Sequence, residues 1–263
     1  MKKQIAMMIA LFVVVAAGCK KDKDKDNPID GGNGKVKYIS KVTSTDDDEQ
    51  TIYVATYDSQ NRLVSYGTGD NSEKTTFTYG ANDNLVKYEF ESDSEDGFDK
   101  ETYEITYNAS NVPTTGKHTL YNSLAVVHEE DLTYTVANGT VTQLVAKDQD
   151  DEVSTYKMTY QNGNVTKVDV EVPGVKFTLS ATYGSKKSPF LGMNLKYLIV
   201  PTNLFAYYAK NELTSATSTV GAQVAIRQVT TYTYDGDGYP LTSTSTNPDD
   251  TTEPPTTTKY EYK

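Results

Sequence analysis

The chain has 263 residues, with 36 Asp and Glu against 25 Lys and Arg, a formal charge of −11, one cysteine, no tryptophan and 21 tyrosines. That length allows one large β domain or two small ones, either of which buries a core without covalent staples. So acidic a surface repels phosphate backbones, which excludes nucleic acid as a partner, and one cysteine excludes an internal disulfide.

Lys2 and Lys3 precede the apolar run Ile5 to Ala17, and Ala17-Gly18 supplies small residues at a cleavage point. This reads as a secretory signal over 1–18, too short and wrongly flanked for a transmembrane helix. The ending Val15-Ala16-Ala17-Gly18-Cys19 resembles a bacterial lipobox, with Ala16 where a bulky residue is usual. The resemblance implies that Cys19 is the lipid attachment site and the mature N-terminus, holding the protein on a membrane without spanning it.

Residues 19–37 continue as Lys and Asp in alternation with Gly, Pro and Asn, the composition of a flexible charged tether. The charged run behind the cysteine also resembles the surface-export signal of lipoproteins from one Gram-negative phylum. That implies an outer-membrane location facing the cell exterior, with the periplasmic face as the alternative.

From Tyr38 to Lys263 the period is two. Thr75-Phe77-Tyr79, Tyr103-Ile105-Tyr107 and Tyr156-Met158-Tyr160 alternate with Thr, Lys and Glu. This is the pattern of antiparallel strands with one packed and one wet face. Most strands end in Tyr and enter a corner rich in Asn, Asp and Gly: YDSQNRL (57–63), YGANDNL (79–85), YNASNV (107–112), YTVANGTV (134–141), YQNGNV (160–165) and YDGDGYPL (234–241). These residues tolerate positive φ, and Asn-Gly and Asp-Gly favour two-residue hairpin corners. The Tyr-to-Tyr spacings of 22, 28, 27, 26 and 23 residues, then 51 to the last copy, mark a repeat whose unit is one hairpin.

The Tyr57-Asp58…Asn61-Arg62-Leu63 core resembles the YD repeat of RHS-type proteins, and the whole resembles short YD-repeat-like lipoproteins of Gram-negative gut commensals. Only Tyr57-Asp58 and Tyr234-Asp235 keep the literal dipeptide. The resemblance implies fold and anchoring and no activity. Tyr57 and Leu63 read as sheet residues flanking a corner, and Asp58 and Asn61 as side chains satisfying loop amides.

One copy is interrupted. Residues 184–211 hold the most apolar stretch of the mature chain, where Leu195, Leu198 and Ile199 follow helical spacing and Pro201 forbids one unbroken helix. One or two short helices are expected, packed on the apolar face of the sheet. The alternative is a lid whose Phe190, Tyr197, Tyr207 and Tyr208 line a ligand groove suited to sugar rings.

His118 and His128 read as solvated strand residues, and no metal or cofactor motif and no nucleophile elbow occurs. The acidic runs Asp46 to Glu49, Glu91 to Asp96 and Asp148 to Glu152 lack a calcium-loop pattern and read as soluble loop tips. The expected fold is therefore all-β: one large twisted antiparallel sheet of consecutive hairpin repeats curling toward a half-barrel, with a short helical insertion on its apolar face. The expected function is a non-enzymatic, surface-anchored binding module for an extracellular glycan or protein. The alternatives are a structural accessory of an outer-membrane complex and, behind it, an unrecognised hydrolase.

Overall fold

The computed structural model describes residues 36–93, 98–193, 195, 197–199, 205, 209–250 and 252–263. The strands are β1 (Ile39–Asp46), β2 (Glu49–Tyr57), β3 (Leu63–Thr68), β4 (Glu73–Tyr79), β5 (Leu85–Ser92), β6 (Lys100–Tyr107), β7 (Pro113–Asn122) and β8 (Ala125–Ala137). They continue with β9 (Thr140–Asp148), β10 (Val153–Gln161), β11 (Asn164–Val172), β12 (Val175–Lys187), β13 (Asn211–Val220), β14 (Gln223–Tyr234), β15 (Pro240–Thr246) and β16 (Thr256–Tyr262). Each pairs antiparallel with its chain neighbours, and β16 pairs with β1, closing a sixteen-stranded meander barrel.

This corrects the expected open sheet in two respects. The sheet closes: Val42 lies opposite Tyr260 and Ser44 opposite Thr258, so no edge strand remains. β16 accordingly runs between β15 and β1. Curvature comes from register shifts on seven even-numbered strands, six of them at a Thr-Tyr step: Thr56/Tyr57, Thr78/Tyr79, Thr106/Tyr107, Thr159/Tyr160, Thr182/Tyr183 and Thr233/Tyr234. The seventh falls at Thr135/Val136. Bulges bend a strand and raise its twist, and repeated around a sheet they roll it up.

The second correction concerns the insertion. No α-helix occurs among the described residues, and the insertion contributes one 3-10 turn, Leu191–Met193. Helical spacing of Leu195, Leu198 and Ile199 fails because Tyr197, between them, takes φ +73°, where no right-handed helix continues. Its described residues Met193, Leu195, Leu198, Ile199 and Phe205 enter from the end at which β12 leaves and β13 returns, as a plug buried in the same cluster as the apolar strand residues. Gly192 permits the fit, since a Cβ there would sit 2.6 Å from the Lys37 carbonyl oxygen.

Ile39, Leu63 and Val168 have 0% exposure, and inward residues of most strands join the described residues of the insertion in one contiguous core.

Candidate functional site

The meander puts every even-to-odd corner at one end with the plug and both ends of the described chain. Odd-to-even turns lie at the other end. At the plug end the repeat shows its purpose. The hydroxyls of Tyr79, Tyr107, Tyr160, Tyr183, Tyr232 and Tyr262 donate to the carbonyls of Leu63, Leu85, Val141, Val165, Leu213 and Pro240, each at 2.7–2.9 Å. Each acceptor starts the strand preceding the tyrosine's own, or lies near its start, so the bulged register leaves a carbonyl that the tyrosine satisfies. The hydroxyls of Tyr57 and Tyr134 find no partner among the described residues.

The corner itself is held by an aspartate or asparagine. Asp58 accepts the amides of Gln60 and Arg62, each at 2.9 Å, and Asn108 and Asp235 do the same two and four residues on. Burial opposes it, but the amide of Arg62, first, with the Arg62 guanidinium and the Gln60 amide, holds the Asp58 carboxyl below its usual range. Asn61 contributes its backbone, with φ +60° and its amide on the Asp58 carbonyl. Arg62 bridges Asp58 and Asp83 at 2.7 Å each and lies over the Tyr79 ring. These residues are committed to structure.

Of the expected groove residues, Phe190 and Tyr197 pack against inward rings of the wall. The Phe190 ring stands edge-on to Tyr260 at 6.3 Å, and the Tyr197 ring is tilted against Tyr107 at 6.2 Å, each half-buried between plug and wall. Tyr207, Tyr208 and Cys19 lie outside the described residues.

Between the two ends the wall holds a cluster that the sequence reading missed. His118 on β7 is 8% exposed and not solvated as expected. Its ring stacks on Tyr103 of β6 at 4.3 Å; Nδ1 meets Glu130 of β8 at 2.7 Å and Nε2 meets Glu101 of β6 at 2.9 Å. His128 Nε2 reaches the other oxygen of Glu130 at 3.4 Å. Burial pulls the His118 imidazole down, but the two carboxylates overcome it and hold it at about 9. Burial likewise pushes Glu130 up, and both histidines together bring it down to about 2. With both ring nitrogens held by carboxylates, His118 is a buried cation and not a free base. No three His, Cys, Asp or Glu residues among those described are arranged to hold a metal. The signal was available: Tyr103, His118 and Glu130 are direct cross-strand partners, and Tyr103 carries the inward phase of its strand.

The acidic turns 46–49 and 148–152 lie at the end opposite the plug, because both connect odd to even strands, as does the β5–β6 connection with Asp93 and Asp99; Ser94 to Asp96 of the third acidic run lie outside the described residues. The β7–β8 hairpin also ends there, in Ser123-Leu124, with φ +49° and +72°. Other two-residue corners use Asn138-Gly139 and Asn162-Gly163, the residues that tolerate this geometry. Leu124 is 91% exposed, and Val126 and Val127 beside it are about half exposed. The carboxylate of Asp99 accepts the Ser123 amide at 2.7 Å and steadies the tip.

The outer wall is charged. Lys87, Glu104, Lys117, Asp131 and Lys147 are successive cross-strand partners over β5 to β9, a belt of alternating sign. A Lys or Arg on the lipid face of a membrane barrel costs about 2–4 kcal/mol at the midplane. Over β5 to β9 this belt suits water and not lipid.

No family model and no curated protein matches the chain. Solved structures do. A crystal structure of a porin-like protein from Bacteroides vulgatus ATCC 8482 matches with TM-score 0.55 and 12% identity, covering 87% of this chain and 99% of that one. A porin-like protein from Bacteroides uniformis ATCC 8492 matches with TM-score 0.54 and 13% identity, over 86% and 96%. The likeness is one of fold: a large antiparallel barrel.

Proposed function

We propose that this protein is a non-enzymatic barrel, anchored at the outer membrane through acylated Cys19 and facing the cell exterior, that binds a protein partner through the end opposite its plug. The observation that carries this is Leu124. A nearly fully exposed leucine held at positive φ costs stability twice, in backbone strain and in hydrated apolar surface, and such costs cluster where binding recovers them. The contiguous core that the inward strand residues form with Met193, Leu195, Leu198, Ile199 and Phe205 supports a role other than conduction. The inward rings of Phe190 and Tyr197 favour a protein over a glycan, and His118, clamped by two carboxylates, offers no general base for hydrolysis.

The partner reading has two forms. One is an extracellular protein; the other, favoured by the covered aromatic face, is an integral component of an outer-membrane complex to which this chain is accessory. A photo-crosslinking residue at Leu124 or at exposed Ala109, on a plug-end corner, tests both in intact cells. A discrete adduct from Leu124 alone is expected, and the adduct's identity separates the two forms. Equal adducts from both positions, or none from Leu124, would refute the reading. Melting with a polysaccharide panel should show no shift, whereas a glycan at a hundred times its Kd would add about 2.7 kcal/mol and several degrees.

A further inference from the structure

We propose that the plug-end rim is a docking face for the anionic phosphate headgroups of the bilayer that carries the anchor, so that the barrel stands on the membrane plug-end down. The inference takes the source of that surface from the anchored reading above, but three observations at this end carry the rest.

The first is an uneven distribution of unpaired cations. The carboxylates of the corners are already used: Asp58 and Asp83 bind Arg62, and Asp235 and Asp237 bind Lys37. Lys186, Lys187, Lys210 and Lys263 remain, with no carboxylate within ion-pair distance among the described residues. Lys186, Lys210 and Lys263 are exposed; the Lys187 ammonium lies over the Tyr239 ring and that of Lys263 over Tyr57. Along the wall, by contrast, most cations are paired, among them Lys87, Lys100, Lys117, Lys147, Lys167, Lys176 and Lys259, and the exposed exceptions, Lys74, Lys157 and Arg227, stand singly on β4, β10 and β14 instead of gathering at one rim.

The second observation is the opposite end. Its loops hold Asp46 to Glu49, Asp70, Asp93, Asp99, Asp148, Asp150 to Glu152, Asp249, Asp250 and Glu253. The molecule is thus an axial electric dipole, and an anionic surface attracts one end while repelling the other.

The third is where the chain enters. Tyr38 and Lys263 exchange backbone hydrogen bonds at the plug end, and the Lys37 amide donates to the Tyr239 hydroxyl there. The residues leading back to Cys19 therefore join the barrel on the cationic face. Seventeen residues between Cys19 and Lys37 reach at most about 60 Å. Such a tether keeps the barrel near the bilayer without choosing its orientation; the lysines choose it. Each adds roughly fivefold to association with an anionic surface, and four compound to several-hundred-fold, lost as salt screens them.

The test uses the full lipidated chain on vesicles of phosphatidylcholine alone or with phosphatidylglycerol. A fluorophore is placed at Ala109→Cys on a plug-end corner or at Leu124→Cys at the far tip, and lipid headgroups carry a quencher. The expected result is quenching at position 109 on phosphatidylglycerol vesicles at low salt, little at position 124, and loss of the effect when Lys186, Lys187, Lys210 and Lys263 are all changed to Gln. Equal quenching with and without phosphatidylglycerol, or stronger quenching at 124, would overturn the docking face. Flotation separates it from the anchor: floating on phosphatidylcholine reads the anchor alone. A chain that floats only on phosphatidylglycerol keeps the docking face and refutes the anchor, and one that floats on neither refutes both.

Discussion

The hydroxyl of Tyr107 donates to the Leu85 carbonyl at 2.8 Å, and that of Tyr134, in the next repeat, has no partner among the described residues. The same substitution should therefore have different costs at the two positions. Tyr107→Phe should lose about 1 kcal/mol, because a carbonyl is left without its donor, while Tyr134→Phe should be neutral or stabilising. Urea unfolding of the two variants checks this, and equal losses would mean that the hydroxyls do not staple the corners. Leu124 gives a second residue-level prediction. Replacing Ser123-Leu124 by Asn-Gly should raise stability by about 1 kcal/mol and abolish partner crosslinking at the tip. At this scale the sequence was partly legible. The tyrosines stood out by their period and Asp58 by its corner. The hydroxyl's acceptor did not, because it lies on the preceding strand, about 20 residues back.

Strands β6, β7 and β8 carry the Glu101–His118–Glu130 cluster, with His128 beside it and Tyr103 under the His118 ring. It predicts a pH profile. The His118 imidazole is held at about 9, above the ordinary histidine value, so its stabilisation is complete below about pH 6.5 and is lost as pH rises toward 9. Glu130 is held at about 2, below the ordinary carboxylate value, so its contribution is present above about pH 4.5 and is lost as pH falls toward 2. Stability should peak between about pH 4.5 and 6.5, and His118→Ala should cost about 3–5 kcal/mol by leaving two carboxylates face to face. Melting scans from pH 2 to 9 on the native chain and the variant read both; a flat profile in the native chain would show that the cluster does not hold its charge. Individual strands were legible here because alternation is local. The insertion was not: apolar spacing alone predicts a helix, and only the positive φ of Tyr197 and the space inside a closed barrel make it a plug.

Over the whole molecule, closure depends on Val42 meeting Tyr260 and Ser44 meeting Thr258 more than 200 residues away, which no local pattern announces. The period-two pattern did distinguish the apolar from the wet face, and that distinction decides how the barrel relates to the membrane. The apolar face is inside and the charged belt from Lys87 to Lys147 is outside, the reverse of a barrel whose lipid-facing band is apolar. The molecule we propose is therefore a water-facing barrel held by a tether. Placing a specific protease site among residues 20–35 of the lipidated chain, cleaving it on vesicles and sedimenting them without detergent tests this. The folded barrel should appear in the supernatant once salt has released its docking face. A barrel that stays with the vesicles in high salt after complete cleavage would contradict it.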